Sequence, residues 1–532
     1  MFSPQEMEDL LDEMYNNFTP TPLQPGDPAY VDCRAVRGDE DVVEDLGRTV
    51  RRSRAFTYQL YSGYRGSGKT TELLRLKKDL EDRGHVVVYF AADEEDISVQ
   101  DAQYTDILLA CTRHLLRELK DANPDPILDW LKNRLQDLKN VMLTEINIDN
   151  KLNLEVGLKE FAKITAAVRA EPGQRQKIRE RIEPHTETLI QALNTFIADA
   201  KKHLPEKTKL LAIADNLDRI VPIFHENGRS NHEEIFLDRH EQLKALHCHI
   251  IYTVPISLIY SKWATELKDD YGIPQVLPSI MVRQKNGDPY ENGLDILKKI
   301  ICLRLPSSLK DSLVPDVFES EEVLQELCLM SGGYVRDLVQ LMQEAITKTD
   351  ELPIRARAVQ RAVDDLRDVY RHAIESSDWI QLAKVALSKS IEPSQSHLLF
   401  RRCILDYQYI DIKGDRRRYY DVHPVIKKMG NFVDAISHLL GEVDYLNRAH
   451  KTVDGIILLG LENIYQEYQS FLDNNDYKNA SKSALQAVTL LNNLQESMNF
   501  QQDRDVYRRI VALRSYWELM ANLDKSRIHL NS

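Results

Sequence analysis

The chain has 532 residues, too many for one hydrophobic core, and is expected to divide into about three to five units. Its 69 lysines and arginines are outnumbered by 83 aspartates and glutamates, and the net charge of -14 repels a polyanion over most of the surface, so any nucleic-acid contact must be local. With 43% hydrophobic and 29% charged residues the composition is that of an ordinary soluble protein. No apolar run reaches membrane-spanning length and residues 1–6 lack a basic-then-apolar pattern, so neither export nor membrane anchoring is expected. Six scattered cysteines without a C-x-x-C pair suggest neither zinc nor a disulfide framework and fit a reducing cytoplasm. His247-Cys248-His249 looks like half a metal site, but it runs into an apolar strand, and burial or a strand edge is the simpler reading.

In chain order, Arg37-Gly38 leads into a helix-like stretch from Asp41 to Arg54. A strand-like run, Phe56–Tyr61, then precedes the octet Gly63-Tyr64-Arg65-Gly66-Ser67-Gly68-Lys69-Thr70. This is G-x-x-x-x-G-K-[ST], and Thr71 opens an amphipathic helical segment directly after it. The glycines let backbone N–H groups turn inward around an anion, the helix start adds partial positive charge, and Lys69 supplies a point charge for β- and γ-phosphates. Thr70 is placed to ligate Mg²⁺. An apolar strand over Val86–Phe90 ends in the acidic turn Asp93-Glu94-Glu95-Asp96, and Leu108, Cys111, Leu115 and Leu119 recur at helical spacing. From about 105 to 206 the charged, helical sequence reads as an insertion; its Arg175, Lys177, Arg179 and Arg181 are most simply a solvated helix face, with a partner or phosphate contact as the second reading.

Leu210–Ala214 is a buried strand that delivers Asp215, the candidate Mg²⁺ carboxylate, at its tip, followed by Asn216 and Asp218. A further strand, His249–Val254, carries Thr253 toward the γ-phosphate or the attacking water, and Ile280–Arg283 is the candidate fifth strand. Ser331-Gly332-Gly333-Tyr334 separates two helices, and Arg336 falls in the first turn of the second, where the helix dipole favours an acid. Helices are expected over Trp379–Val385 and Ser396–Leu405, then a hairpin of Tyr409–Ile412 and Arg416–Val422. Beyond Asn431 the chain reads as helical, with Asp473–Asp476 as a bend.

Taken together, these motifs resemble the AAA+ and STAND branch of P-loop ATPases over roughly residues 37–429. The resemblance implies an α/β P-loop NTPase core with a parallel sheet in the order 5-1-4-3-2, a helical insertion, a helical lid, a winged helix and an all-α tail. The boundaries are 1–45 for an N-terminal segment with the adenine-side box, 46–290 for the core, 291–365 for the lid, 366–432 for the winged helix and 433–532 for the tail. It implies ATP or ADP with Mg²⁺ as ligands, held by Gly63, Arg65, Gly66, Ser67, Gly68, Lys69, Thr70 and Thr71, with Thr70 and Asp215 on the metal. Arg37 and Gly38 take the adenine side, Arg336 the role of the family's second sensor, and His423, in Asp421-Val422-His423-Pro424, that of the histidine holding the β-phosphate of ADP.

AAA+ enzymes usually place a glutamate directly after the magnesium aspartate, where this chain has Asn216. An amide cannot take a proton from the attacking water, so hydrolysis is expected to be slow, with Asp218 as the alternative acceptor. The resemblance therefore implies a nucleotide-controlled switch that assembles with copies of itself or recruits a separate effector, in the manner of bacterial defence or signalling proteins. The alternative is a DNA-binding ATPase of the origin-recognition type, gripping phosphates through Lys413, Arg416, Arg417 and Arg418. A small-molecule kinase fits poorly with the added winged helix and tail.

Overall fold

The computed structural model describes residues 3–139, 153–439 and 476–497, apart from positions 40, 171, 227, 311, 412 and 437, together with scattered positions at 141, 464–474 and 514–521. Two compact units emerge. The first comprises 1–284, 289–362 and 407–417; the second comprises 285–288, 363–406 and 418–532.

The first unit is built on a parallel five-stranded sheet. Its strands are β1 (Tyr58–Gly63), β2 (Val86–Ala91), β3 (Leu210–Asp215), β4 (His249–Val254) and β5 (Gln275–Leu277), in the order β2-β3-β4-β1-β5. Read from the other edge this is the expected 5-1-4-3-2. Both β3 and β4 are buried at every position, as strands covered on both faces must be, which accounts for their continuous apolar runs. The sheet sits between helices: α1 (Val42–Arg52) and α2 (Lys69–Asp82) share one cluster with β1, β2 and β3, built on Val42, Leu46, Leu73, Leu76, Tyr61 and Ile213. Asp41 caps α1 by accepting from Glu44 N, so this helix starts one residue inside the expected stretch.

The fifth strand is a correction. Ile280–Val282 is buried but is not a strand, because its backbone groups pair elsewhere: Met281 N donates to Val36 O, and Val282 O accepts from Tyr290 N. The sheet edge is formed instead by three residues, Gln275–Leu277, beside Tyr61–Gly63 of β1.

In the insertion, α3 (Tyr104–Glu118) is followed by helices Asp125–Lys139, Leu154–Ala170, Pro172–Ile182 and Thr186–Lys202. The solvated-face reading fails for half of its basic run. Arg175 and Arg179 are buried, while Lys177 and Arg181 stay exposed. Arg175 donates to Asp101 and to the carbonyls of Val168 and Arg169; Arg179 pairs with Asp101 and with Asp106, whose carboxyl burial pushes up against the pull of Arg179. These ion pairs dock the helix, since two guanidinium groups taken from water require such partners.

Beyond the sheet, helix Glu321–Met330 ends at the glycine pair and helix Val335–Thr347 begins, as expected. A helix at Pro4–Asn17 contacts the latter, with Gln343 Nε2 donating to Tyr15 O.

In the second unit, helix Asp378–Ser388 matches its expectation, but the helix expected over Ser396–Leu405 stops at Phe400. Arg402 has a left-handed backbone (φ 62°), and the hairpin begins at Ile404 rather than Tyr409, its strands being Ile404–Ile410 and Arg416–Val422. The hairpin contributes residues 407–417 to the first unit and its remaining residues to the second. Helix Tyr477–Ser497 is capped by Asp476, while Asp473 and Asn475 of the expected bend lie outside the described residues.

Candidate functional site

A cleft lies at the carboxyl ends of β1 and β3, the place where open α/β sheets bind ligands. Its polar end is the phosphate loop between β1 and α2. Gly66 (φ 88°) needs the left-handed region, and a Cβ there would come within 2.6 Å of Arg336 Cβ. That contact explains the glycine: Arg336 N donates to Gly66 O at 3.1 Å, so helix Val335–Thr347 rests directly on the loop. Arg37 is buried and donates to Ser67 O at 2.6 Å, bracing the loop from the other side. Gly38 (φ 84°) turns the chain beside Gln408.

Lys69 is buried, with Nζ donating to Gly63 O at 2.9 Å and Tyr64 O at 2.8 Å and pairing with Asp218 Oδ2 at 2.9 Å. Thr70 Oγ1 donates to Asp215 Oδ2 at 2.8 Å, and Tyr89 Oη donates to the same oxygen at 2.9 Å. Thr70 thus meets Asp215, the partner expected to share its metal, and Lys69 meets Asp218, a pairing the sequence did not foretell. Asp215 is fully buried, and burial, reinforced by the Asp218 charge, raises its pKa above the ordinary carboxylate value. A divalent cation beside it would reverse that preference, since an adjacent positive charge favours the ionised form. The hydroxyl and carboxylate oxygens suit Mg²⁺, which usually takes one or two carboxylates, waters and substrate phosphates rather than a protein cage. Among the described residues no cluster of three or more His, Cys, Asp or Glu could hold a metal, and nucleotide-borne Mg²⁺ needs none.

Asn216 has a left-handed backbone (φ 65°), and its Nδ2 donates to Asp93 Oδ1 at 2.7 Å. Arg219 Nη1 pairs with Asp93 Oδ2 at 2.8 Å, while Arg65 Nη2 of the phosphate loop donates to Arg219 O at 2.7 Å. Asp218 is 5% exposed, and among the described residues its Oδ1 has no hydrogen-bond partner. Arg65, Gly66, Ser67, Gly68, Lys69, Thr70, Thr71, Asn216, Asp218, Arg336 and Arg37 all line the cleft.

Gly38, Gly63, Asp215, Thr253 and His423, all expected site residues, are not among those lining the cleft. Thr253 is buried behind the site: its hydroxyl accepts from Leu217 N at 3.0 Å and is 3.4 Å from Ala214 O, so what it touches is the turn carrying Asp215 and Asn216. His423 belongs to the second unit, buried against Tyr370 with ring centroids 4.4 Å apart, whereas every residue lining the cleft belongs to the first. Asp421 beside it binds Lys389 and Lys427. His249 is buried as the sequence implied, its Nδ1 accepting from Thr57 N.

The apolar end of the cleft was not anticipated. Thr19–Leu23, Val31, Ile300, Val335 and Val339 form its walls. Leu23 N donates to Thr71 Oγ1 at 3.2 Å, which fastens this segment to the helix behind the phosphate loop. The visible signal was Thr19-Pro20-Thr21-Pro22, in which each proline fixes φ and biases the preceding residue toward an extended conformation.

No protein-family model and no curated protein matches the chain. Among solved structures, the chain is similar to the crystal structure of Cdc6p from Pyrobaculum aerophilum, at 12% identity and a TM-score of 0.35, over 80% of this chain and 98% of that one. Similarity of that size carries no argument, so the case for the site rests on the phosphate loop and on the carboxylates that meet it.

Proposed function

We propose that the chain binds ATP and ADP with Mg²⁺ in this cleft and hydrolyses ATP slowly, as a nucleotide-controlled switch of the AAA+/STAND kind. The observation that supports it best is the double meeting of Lys69 with Asp218 and Thr70 with Asp215 at the mouth of one parallel sheet. The backbone N–H groups of residues 66–70 would receive the phosphates, with Lys69 exchanging Asp218 and its two carbonyls for phosphate oxygens. Thr70 and Asp215 would hold Mg²⁺, which neutralises phosphate charge when bound. Arg336, seated on Gly66, would reach the phosphates from the lid helix, and the apolar end would take the base. Release of Lys69 frees Asp218 to act on water, while Asn216 can hold water but cannot accept its proton. Slow turnover suits a switch better than a motor.

Self-assembly and recruitment of a separate effector complete this reading, and light scattering with ADP and with a non-hydrolysable ATP analogue tests them. Particles of one size under both nucleotides overturn the switch; failure of the wild-type chain to bind either nucleotide overturns the site. The alternative DNA-binding role is weakened by Arg417, which is already paired with Asp411 and Asp415 at the hairpin tip. A gel shift at about 50 mM salt, where phosphate contacts are strong, decides it.

A further inference from the structure

We propose that Asp93, in the short helix Ala92–Glu95 just after β2, is a positioning residue for the attacking water, acting through Asn216. This deepens the proposed ATPase function and rests on it.

A carboxylate accepts hydrogen bonds and donates none. An ionised aspartate has no donor, so the Asp93 Oδ1 at 2.7 Å from the Asn216 side chain must face the amide nitrogen and not its oxygen. That single bond fixes the amide's orientation and assigns the remaining polar atom, Oδ1, to the rest of the site. Asn216 lines the cleft, as do Asp218 and Arg219. Its left-handed backbone adds strain that asparagine tolerates better than most residues, and its own N–H is taken by Asp215 Oδ1 at 2.7 Å, so the residue is tied at both ends. Asp93 is held in turn by Arg219, whose carbonyl is held by Arg65 of the phosphate loop. One chain of contacts therefore runs from the loop that would carry the phosphates to the amide beside the reacting centre.

The chemistry divides between two side chains. Water gives one hydrogen bond to Asn216 Oδ1, and its oxygen attacks the γ-phosphorus. The bond from that phosphorus to the β,γ-bridging oxygen breaks, and ADP leaves with the electron pair. The proton goes to Asp218 Oδ1, the buried carboxylate oxygen without a hydrogen-bond partner among the described residues. Asp93 touches neither water nor phosphate. Its part is to keep the amide from turning its N–H₂ toward the water, which would present a donor where an acceptor is needed.

This geometry also changes what a glutamate at position 216 would do. Asn216→Glu alone would set a second carboxylate against Asp93 and force a longer side chain into a left-handed backbone. The informative substitution is the exchange of the pair, Asp93→Asn with Asn216→Asp. It keeps one carboxylate and one amide in contact but puts the base on the cleft side.

The experiment measures kcat, ADP affinity and affinity for ADP with aluminium fluoride and Mg²⁺, a mimic of the phosphoryl transition state, with melting temperature as the check on folding. Asp93→Asn is expected to lower kcat and aluminium-fluoride affinity each by about tenfold, with ADP affinity held within about twofold, because only the transition-state complex needs the water aligned. The exchanged pair is expected to exceed the wild-type kcat. If Asp93→Asn does not fold, Asn216→Asp takes its place and is expected to bind the mimic more weakly than the exchanged pair, whose carboxylates are no longer opposed. Unchanged kcat and mimic affinity in Asp93→Asn, equal loss of ADP and mimic affinity, or an exchanged pair no faster than the single variants would each overturn the role of Asp93 alone. A wild-type chain that binds no nucleotide would overturn the site reading and this role with it.

Discussion

The two ends of the cleft are built by opposite strategies. The polar end comes from one octet and one strand tip, and nearly every group in it is already committed: Lys69 to three oxygens, Thr70 to Asp215, Arg37 to Ser67. The apolar end is assembled from separated stretches of chain, Thr19–Leu23, Val31, Ile300 and Val335 with Val339, and offers surface more than bonds. Phosphate recognition requires a dense local array of donors, so it is written in consecutive residues; a flat heteroaromatic base needs only apolar walls, which any stretch of chain can supply. A ligand spanning both ends would take its anchorage from the first and its identity from the second.

The sharpest way to break this division is Lys69→Ala. The variant is expected to lose ATP and inorganic tripolyphosphate binding together, by at least about 100-fold in Kd measured by titration calorimetry. It also leaves Asp218 buried beside no cation, so the nucleotide-free protein should lose about 3 kcal/mol of stability in urea unfolding. Retained ATP affinity would mean that the polar end does not hold phosphate. Val339→Phe tests the other end. Overfilling that wall is expected to weaken ATP by about tenfold while leaving tripolyphosphate within about twofold, a contrast that a wholly phosphate-driven site would not show.

A gentler probe is pH. His232, whose Nε2 bonds Ile220 O next to Arg219, and His249, at the start of β4, are each held down to about 4 by burial, with the Arg65 charge adding to the first and Lys209 and Lys201 to the second. In the unfolded chain they titrate near 6.5, so below that value the unfolded state binds more protons and stability must fall as pH drops from about 6.5 toward 4. The slope is at most about 1.4 kcal/mol per pH unit for each histidine, readable as a falling melting temperature. His232→Gln should flatten this slope; a curve as steep as wild type would show that His232 does not titrate on unfolding.

The same contrast governs what was legible in the sequence. The phosphate loop, the Asp215 strand tip and the glycine pair before Arg336 announce themselves, because each depends on residue types at fixed spacing; the strand order follows only from the resemblance those motifs carry. The apolar end does not, since Thr19–Leu23 resembles a linker until its contact with Thr71 is known. Ile280–Val282 misled for a related reason: burial makes a segment apolar whether or not it joins a sheet, and periodicity cannot tell where its N–H groups go. Arg175 and Arg179 looked solvated because their carboxylate partners Asp101 and Asp106 lie about 70 residues away in sequence. Asp93 was visible only as one acid in a run of them; what selects it is the register that puts Ala91 beside Asp215.

The attachment of Leu23 to Thr71, together with the seating of helix Pro4–Asn17 against the helix that carries Arg336, couples ligand residence to the first two dozen residues. Anything that tugs on that leading helix would strip a wall from the chamber and pull on the helix that carries Arg336, while leaving the backbone of the phosphate loop in place. If the cleft holds nucleotide as proposed, its dissociation rate would be adjustable from a distance, and a bulky fusion at that end would report on it as a faster loss of bound nucleotide.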